Sequence, residues 1–187
     1  MRIIGGRWKG LRLTPVGKGD QGAHLRPTSD RVRENLFNLL MGGRFGDPVT
    51  DAVVLDLFAG TGALGLEALS RGASSATFVD DGRVAGKLLA ANIALAKPSN
   101  VKHLKRDATR LPGCDGEPAN LVFLDPPYGK ALGEKALASA LSGGWVAAAT
   151  LIVWEESQDV APPSGISLIE TRRYGDTRLN ILEVAEL

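Results

Sequence analysis

Residues 53–65 read VVLDLFAGTGALG: an apolar run reaches an acid, a glycine-rich turn follows, and a second apolar segment begins. A short apolar run of this kind is typical of a buried parallel strand, and the residues after Gly62 suit the start of a helix. Glycines at 60 and 62 let the backbone approach a ligand closely, because no Cβ stands in the way. The stretch predicts a strand, a tight turn and a helix whose first N–H groups point at a ligand.

The acid in this stretch, Asp56, narrows the choice of ligand. Residues 60–65 match the G-x-G-x-x-G pattern of dinucleotide-binding folds, which is weak by itself. A carboxylate just before the loop would repel a pyrophosphate and attract a cationic ligand. S-adenosylmethionine (SAM) carries an ammonium, a sulfonium and no phosphate, so we predict a SAM site, while a loop-bracing or helix-capping role for Asp56 stays open. The predicted cofactor contacts here are Asp56, Phe58, Ala59, Gly60, Thr61 and Gly62.

Strand and helix patterns alternate from residue 53 onward, which predicts a doubly wound α/β sheet with ligands outside the carboxyl ends of its strands. A closing antiparallel hairpin is expected at 166–172 and 178–184. The predicted strands before it are 53–57, 76–80, 101–104, 121–124 and 151–154, and the predicted helices follow Gly62 and span 83–97 and 132–141.

Two further acids follow predicted strands. Asp80 lies about 20 residues after Gly60, where a nucleotide-binding unit places an acid on the ribose hydroxyls. NAD and SAM share that ribose, so Asp80 does not separate them. Asp81 is the less favoured alternative for this role, because it would point to the other face of the strand. Asp107 follows the third strand, and we expect it to accept from an adenine amine, with Ala108 adding backbone contacts. A plain helix-cap role for Asp107 stays open.

The motif that separates the candidate functions is Asp125–Pro126–Pro127–Tyr128, directly after the fourth strand. The two prolines fix φ and remove two backbone donors, which leaves carbonyl acceptors facing the cleft. Asp125 adds a third acceptor, and Tyr128 adds a flat surface for stacking. This set suits a flat base with an exocyclic NH₂, and we assign Asp125, Pro126, Pro127 and Tyr128 to catalysis.

The first part of the chain is basic. Residues 1–33 carry a net charge of +6, against −5 for the remainder. Basic residues interleaved with apolar ones and glycines over 2–16 predict a small β-hairpin that docks on a polyanion. A helix start follows, with Thr28 or Ser29 as its N-cap. We divide the chain into a docking segment, 1–25, and a catalytic domain, 26–187, and expect RNA contacts from Arg2, Arg7, Lys9, Arg12, Arg26, Arg31 and Arg33.

Composition sets the remaining limits. With Cys114 as its single cysteine, the chain has no intramolecular disulfide and no cysteine-built metal site, and we expect no metal. The start of the chain lacks the apolar segment of a signal peptide. Residues 136–154 are free of charge, but Gly143–Gly144 splits them into a helix and a strand, so a membrane span is not expected. We expect a cytoplasmic monomer.

Four segments together resemble one known family: residues 2–6 (RIIGG), 26–37 (RPTSDRVRENLF), 55–72 (LDLFAGTGALGLEALSRG) and 123–128 (FLDPPY). The last is similar to the motif of SAM-dependent amino-methyltransferases, and the combination is similar to the RsmD family. The resemblance implies a class I methyltransferase fold and methylation of a guanine N2 in 16S ribosomal RNA. The implied substrate is the small ribosomal subunit, either assembled or as an assembly intermediate. It also implies SAM as methyl donor, with S-adenosylhomocysteine as product. At Asp80 the family commonly has Glu.

Other functions stay open at this point. An adenine-N6 methyltransferase acting on RNA or DNA would use the same four-residue motif on a different amine. An NAD-dependent oxidoreductase is disfavoured by Asp56 and by the lack of an obvious His or Lys at a hydride site. A non-catalytic SAM- or RNA-binding module is disfavoured by the intact motif at 125–128.

Overall fold

The computed structural model describes residues 1–17 and 28–185 of the 187-residue chain. The helices in these residues are α1 Asp30–Met41, α2 Ala63–Ser70, α3 Arg83–Ala96 and α4 Leu132–Ser142. The strands are β1 Val53–Leu57, β2 Ser75–Val79, β3 Val101–Leu104, β4 Ala119–Leu124, β5 Val146–Glu156, β6 Ile166–Tyr174 and β7 Thr177–Val184.

The described strands form one seven-stranded sheet in the order β3-β2-β1-β4-β5-β7-β6. The first five strands are parallel, whereas β7 runs antiparallel to both β5 and β6. The structure confirms the predicted doubly wound α/β sheet and its antiparallel closing hairpin. Strand order reverses between β1 and β4, and in open α/β sheets ligands bind at such a reversal. The glycine loop follows β1 and the proline motif follows β4, so both lie at this reversal.

The largest difference from the predicted boundaries is in β5, which starts at Val146 and not at Leu151. Trp145 and Val146 are buried, so the apolar run begins directly after the Gly143–Gly144 turn. An irregularity separates the two parts of the strand, because Ala149 has a φ of 59° and the register with β4 shifts between Ala119 and Leu121. The irregularity explains why the apolar pattern predicted only residues 151–154 and missed the first part of the strand.

Two cores cover the two faces of the sheet. One includes Leu36, Phe37, Leu66, Phe78 and Phe123, and therefore joins α1 and α2 to the sheet. The other includes Leu57, Val122, Ala136, Leu137 and Trp154 on the α4 side. Burying both faces is what the nearly continuous apolar strand sequences require.

The N-terminal segment, which is the described part (residues 1–17) of the predicted docking segment, reverses direction through a 3-10 helix at Gly6–Trp8. A single antiparallel bridge joins Arg2 to Arg12, so the predicted β-hairpin is present as one bridge and not as regular strands. Ile3 and Leu13 are buried in the same core as α1 and α2, so the described part of the segment packs as part of the main fold. The predicted domain boundary at residue 25 lies outside the described residues.

Glu67 on α2 fixes this segment in place. Its carboxylate is fully buried and accepts from the backbone N–H groups of Ile4 and Gly5, each at 2.8 Å, and from Arg71 Nε at 2.7 Å. A Cβ at Gly6, whose φ is +73°, would lie 1.8 Å from the carbonyl oxygen of Ser70. Gly6 is therefore needed for the chain to lie directly on α2.

Candidate active site

The loop after β1 has a conformation that few side chains adopt. Phe58 has a φ of 58°, in the left-handed region, where a non-glycine residue is strained. The amide of Ala59 donates to the carbonyl of Val79 at 3.0 Å, which ties the loop to the end of β2. Gly62 has a φ of 76° and caps α2, and a Cβ there would lie 2.4 Å from Leu89 Cδ1. The loop thus presents its backbone at the start of α2, as predicted from its glycines.

Asp56 lies at the base of this loop and is 2% exposed. Its Oδ2 accepts from the amide of Gly65 at 3.0 Å. Burial raises the pKa of Asp56 to about 8, and the bond from Gly65 opposes that rise only in part. The loop-bracing role left open by the sequence is therefore present, and a nearby cation would stabilise the ionised form of this carboxylate.

Asp80 follows β2 and contacts the same loop. Its Oδ2 accepts from the amide of Gly60 and its Oδ1 from the amide of Gly82, each at 2.8 Å. Burial raises the pKa of Asp80 despite these two bonds. An ionised carboxylate has about four acceptor positions, so two remain for ligand hydroxyls.

Asp107 caps the short 3-10 helix Ala108–Arg110. Its Oδ1 accepts from Thr109 Oγ1 at 2.7 Å and from the Thr109 amide at 2.8 Å. These bonds lower the pKa of Asp107. The helix-cap role that the sequence left open is confirmed. Neither of these two bonds involves Oδ2. Ala108, its predicted companion, is 3% exposed.

The proline motif follows β4 directly. The amide of Asp125 donates to the carbonyl of Leu57 at 3.3 Å, which joins the motif to the end of β1. Asp125, Pro127 and Tyr128 are half-buried, Pro126 is buried, and Gly129 closes the turn with a φ of 72°. The motif and the glycine loop are therefore neighbours at the point where strand order reverses.

The structure adds Glu155, which the sequence analysis missed. This residue lies near the end of β5 and is 5% exposed. Its Oε1 accepts from Tyr128 Oη at 2.9 Å, and its Oε2 accepts from Thr28 Oγ1 at 2.6 Å. Its position could have identified it from the sequence, because Glu155 is an acid directly after the apolar run of the fifth parallel strand.

Three titratable side chains, Asp125, Glu155 and Tyr128, lie together beyond the ends of β4 and β5, and their pKa values are shifted. Burial raises the pKa of Asp125 well above its ordinary value, and the charges of Glu155 and Asp56 raise it further. Burial also raises the pKa of Glu155, against the two hydroxyl bonds that it accepts. The pKa of Tyr128 rises because of burial and the charge of Glu155, so its hydroxyl stays protonated and donates.

Most of the predicted RNA-binding side chains in the described residues are exposed. Arg7 lies over the ring of Trp8, with its Cζ 4.0 Å from the ring centroid. Arg2 also pairs with Asp30 at 3.6 Å, and its side chain remains 65% exposed. The exposed set is Arg2, Arg7, Lys9, Arg12 and Arg31, whereas Arg26 lies outside the described residues.

Arg33 corrects the predicted RNA-binding set. Its side chain is fully buried, donates to the carbonyls of Arg2 and Thr28, and pairs with Asp30 Oδ1 at 3.0 Å. Burial lowers the pKa of Arg33. The prediction was wrong for this residue because Arg33 belongs to the buried face of α1, with Leu36, Phe37 and Leu40. It joins the N-terminal segment to α1 and does not face solvent.

The N-terminal segment also reaches the glycine loop. Asn92 on α3 is fully buried, accepts from the amide of Thr14 at 2.7 Å and donates to the carbonyl of Thr61 at 2.8 Å. Met1 Sδ lies 3.9 Å from Thr61 Oγ1. The basic segment is thus next to the predicted cofactor loop, while Thr28 is bonded to the side that carries Tyr128.

The described residues contain neither a metal-binding cluster nor a membrane-spanning helix. No group of three or more His, Cys, Asp or Glu side chains in residues 1–17 and 28–185 could hold a metal ion. Among the helices in that part of the chain, none is both long and apolar enough to cross a membrane.

Comparison with known proteins identifies the family. Residues 1–183 match the protein family described as Conserved hypothetical protein 95. The relative Ribosomal RNA small subunit methyltransferase D of Escherichia coli (strain K12) is 41% identical over 165 residues, 88% of this chain and 78% of the relative. The chain belongs to the RsmD family.

Two further matches extend across nearly the whole of this RsmD family member. The relative of the same name from Haemophilus influenzae is 34% identical over 183 residues, 94% of this chain and 89% of that protein. The solved structure of the putative methyltransferase yhhF from Escherichia coli has a TM-score of 0.82 and 36% identity, covering 100% and 99% of the two chains. The resemblance seen in the sequence is confirmed, and family and fold together make the chain a methyltransferase.

Proposed function

We propose that this RsmD family member transfers a methyl group from SAM to the exocyclic N2 amine of a guanine in 16S ribosomal RNA. The observation that carries the proposal is the position of the Asp125–Tyr128 turn, which hydrogen-bonds to the end of β1 beside the glycine loop. The relatives named small subunit methyltransferases support rRNA as the substrate.

The residues on the loop side fit SAM. The buried Asp56 lacks a cationic partner among its described hydrogen bonds, so it suits the ammonium end of the cofactor. Asp80 would accept hydrogen bonds from the ribose hydroxyls. Asp107 Oδ2 would accept a hydrogen bond from the adenine amine, with Ala108 beside it. The backbone of residues 58–62 would line the cofactor. SAM, when bound, supplies a methyl group on a sulfonium.

The residues of the proline motif would orient the amine. The lone pair of a guanine N2 is delocalised into the ring, so the nitrogen is a poor nucleophile. Hydrogen bonds from its two N–H groups to Asp125 and to the Pro126 carbonyl would draw it towards tetrahedral geometry and aim the lone pair. The two prolines keep these acceptors fixed, and the ring of Tyr128 would stack on the base. Positive charge that develops on the nitrogen would be stabilised by Asp125.

The exposed basic residues of the N-terminal segment would hold the RNA. Arg2 and Arg12 are opposite each other in the bridge, and Arg7 and Lys9 lie on the reversal between them. Contacts with phosphates from these residues would position the RNA without reading its sequence. Because the segment also touches Thr61, RNA bound there would lie beside the cofactor loop. We propose that residues 1–25 dock the RNA and residues 26–187 form the methyltransferase domain.

The test is to identify the methylated nucleoside. The chain would be incubated with SAM carrying a labelled methyl and with isolated small ribosomal subunits, naked 16S rRNA or DNA. The nucleic acid would then be digested and separated by mass spectrometry. We expect the label on N2-methylguanosine from rRNA. Label on N6-methyladenosine would replace guanine by adenine as the target, and labelled DNA would exclude the RNA assignment.

A further inference from the structure

Neither the family motif nor the proposed function assigns a role to Glu155. It lies where β4 and β5 end side by side, since Leu124 pairs with Trp154 and the next residues of the two strands are Asp125 and Glu155. The side chain is nearly inaccessible to solvent, and a buried carboxylate is costly unless its oxygens are bonded.

Both oxygens of this carboxylate are used. Oε1 accepts from the hydroxyl of Tyr128, which is 27 residues away in the chain, and Oε2 accepts from the hydroxyl of Thr28, 127 residues away. One buried group therefore connects three segments: the end of β5, the proline motif and the residues that lead into α1.

The bond to Tyr128 restricts the ring that would stack on the base. Pro126 and Pro127 fix the course of the chain that leads to Tyr128. The hydroxyl oxygen lies on the axis of the second side-chain torsion, so its bond to Glu155 fixes the first torsion. A phenolic O–H prefers the plane of its ring, so the position of the Glu155 oxygen also favours one ring plane. Stacking in one orientation aligns the base amine with Asp125, and such alignment contributes to rate and not only to affinity.

We propose that Glu155 is a positioning residue for methyl transfer, which holds the ring of Tyr128 and joins Thr28 to the site; the inference rests on the proposed function. Glu155 does not touch the reacting atoms. It acts through Tyr128, so its removal should change the rate of transfer while leaving the cofactor contacts on β1 and β2 as they are.

The experiment measures single-turnover methyl transfer to isolated small subunits with SAM saturating. Glu155→Ala should slow transfer by about 10- to 100-fold, as expected for a lost hydrogen bond to a charged group. Tyr128→Phe removes the same bond from the other side and should slow transfer to a similar extent. Because both changes break the bond between Tyr128 and Glu155, the double variant should be no more than about threefold slower than the slower single variant.

Conservative and control variants separate positioning from general structure. In Glu155→Gln the amide oxygen still accepts from Tyr128, and the Thr28 hydroxyl can turn to accept from the amide N–H, so the rate should stay within about threefold of wild type. Glu156→Ala changes a neighbouring acid that bonds Ser157 instead, and it should change the rate by about twofold at most. The dissociation constant for SAM should be unchanged in every variant.

The outcomes distinguish this inference from the proposed function. If wild type transfers methyl and Tyr128→Phe is as fast as wild type, the ring face alone is sufficient and the inference is wrong. Multiplying effects in the double variant would also overturn it. If Glu155→Ala does not fold, Tyr128→Phe and Glu155→Gln still give the answer. A wild-type chain that transfers no methyl to rRNA overturns the proposed function instead.

Discussion

The acids at the carboxyl edge of the sheet form two groups that differ in what surrounds them. On the β2–β3 side, Asp80 and Asp107 accept hydrogen bonds from backbone N–H groups of neighbouring turns. On the β4–β5 side, Asp125 and Glu155 follow paired residues of adjacent strands. Asp125 is half-buried, Glu155 is buried, and the charge of Glu155 acts on Asp125. Hydrogen bonds lower the pKa of Asp107, burial raises the pKa of Asp80 despite its two backbone bonds, and the pKa of Asp125 is raised well above its usual range.

This difference corresponds to two tasks. Acids held by backbone donors are fixed in orientation and keep acceptor positions free, which suits the binding of a cofactor through hydroxyl and amine groups. Desolvated acids close together favour a ligand that brings N–H donors and a developing positive charge. We therefore expect substitutions on the β2 side to change SAM affinity, and substitutions on the β4 side to change the rate.

The strongest test of this division is Asp125. Asp125→Ala should lower kcat by about 10²–10³, comparable to the loss of one preorganised electrostatic contact, with the dissociation constant for SAM nearly unchanged. Asp125→Asn retains an acceptor oxygen and should retain more activity than Asp125→Ala. Single-turnover transfer at saturating SAM measures the rate, and calorimetry measures SAM binding. A near-wild-type rate for Asp125→Ala would remove the motif from the mechanism.

At Asp80 we expect a smaller effect, on the affinity for SAM and not on the rate of transfer. Asp80→Ala removes the proposed acceptor of two ribose hydroxyls and the bond to the Gly60 amide, so SAM binding should weaken by about 1–3 kcal/mol. Titration calorimetry measures the change, and Asp81→Ala is the matched control because Asp81 is exposed next to it. Equal SAM affinity in Asp80→Ala and wild type would mean that the cofactor does not contact this acid.

Asp56 lies between the two groups and gives a pH test. Because its pKa is raised from 3.8 to about 8 on folding, its contribution to stability is fully present below pH 3.8 and is lost as pH rises towards 8. The free energy of unfolding of wild type relative to Asp56→Asn should therefore fall between these values, by up to about 1.4 kcal/mol per pH unit.

Chemical denaturation of both proteins across that pH range measures the difference. Saturating SAM should flatten the dependence for wild type, because a bound ammonium favours the ionised carboxylate. A dependence that SAM leaves unchanged would place the ammonium elsewhere.

The smallest effect concerns the basic segment, which lies outside both groups of acids. Deleting it would remove Ile3 and Leu13 from the core, so charge substitutions are the better test. Replacing Arg7 or Lys9 by Gln should reduce the slope of log affinity for subunits against log salt by about 1 each, and should leave SAM binding unchanged. Lys135→Gln, an exposed change on α4, is the control. Equal slopes in all variants would move RNA docking to another surface.

Sequence patterns predicted the parts of this molecule that depend on local regularity. The apolar runs gave β1 and β3 with their observed bounds, and the glycines gave the turn before α2. The proline motif was found because its four residues are contiguous. Glu155 was missed because its partners, Thr28 and Tyr128, are distant in sequence and become neighbours only when β5 pairs with β4.

Arg33 shows a second limit. Its spacing from Leu36, Phe37 and Leu40 places it on the buried face of α1, but a basic residue in a basic segment suggested an exposed phosphate contact. Its guanidinium donates to the carbonyls of Arg2 and Thr28 and pairs with Asp30. Of these partners, Arg2 is 31 residues away and becomes a neighbour only in the folded chain. Periodicity was the better guide than charge at this position.

The most direct measurement of the division between the two groups compares Asp80→Ala and Asp125→Ala as SAM is raised to saturation. Single-turnover methyl transfer to isolated small subunits is recorded at each concentration. We predict that Asp80→Ala recovers the wild-type rate once SAM is saturating, whereas Asp125→Ala stays slow at every concentration. A rate for Asp125→Ala that recovers with SAM, or a rate for Asp80→Ala that does not, would contradict the assignment of cofactor binding to one side and amine orientation to the other.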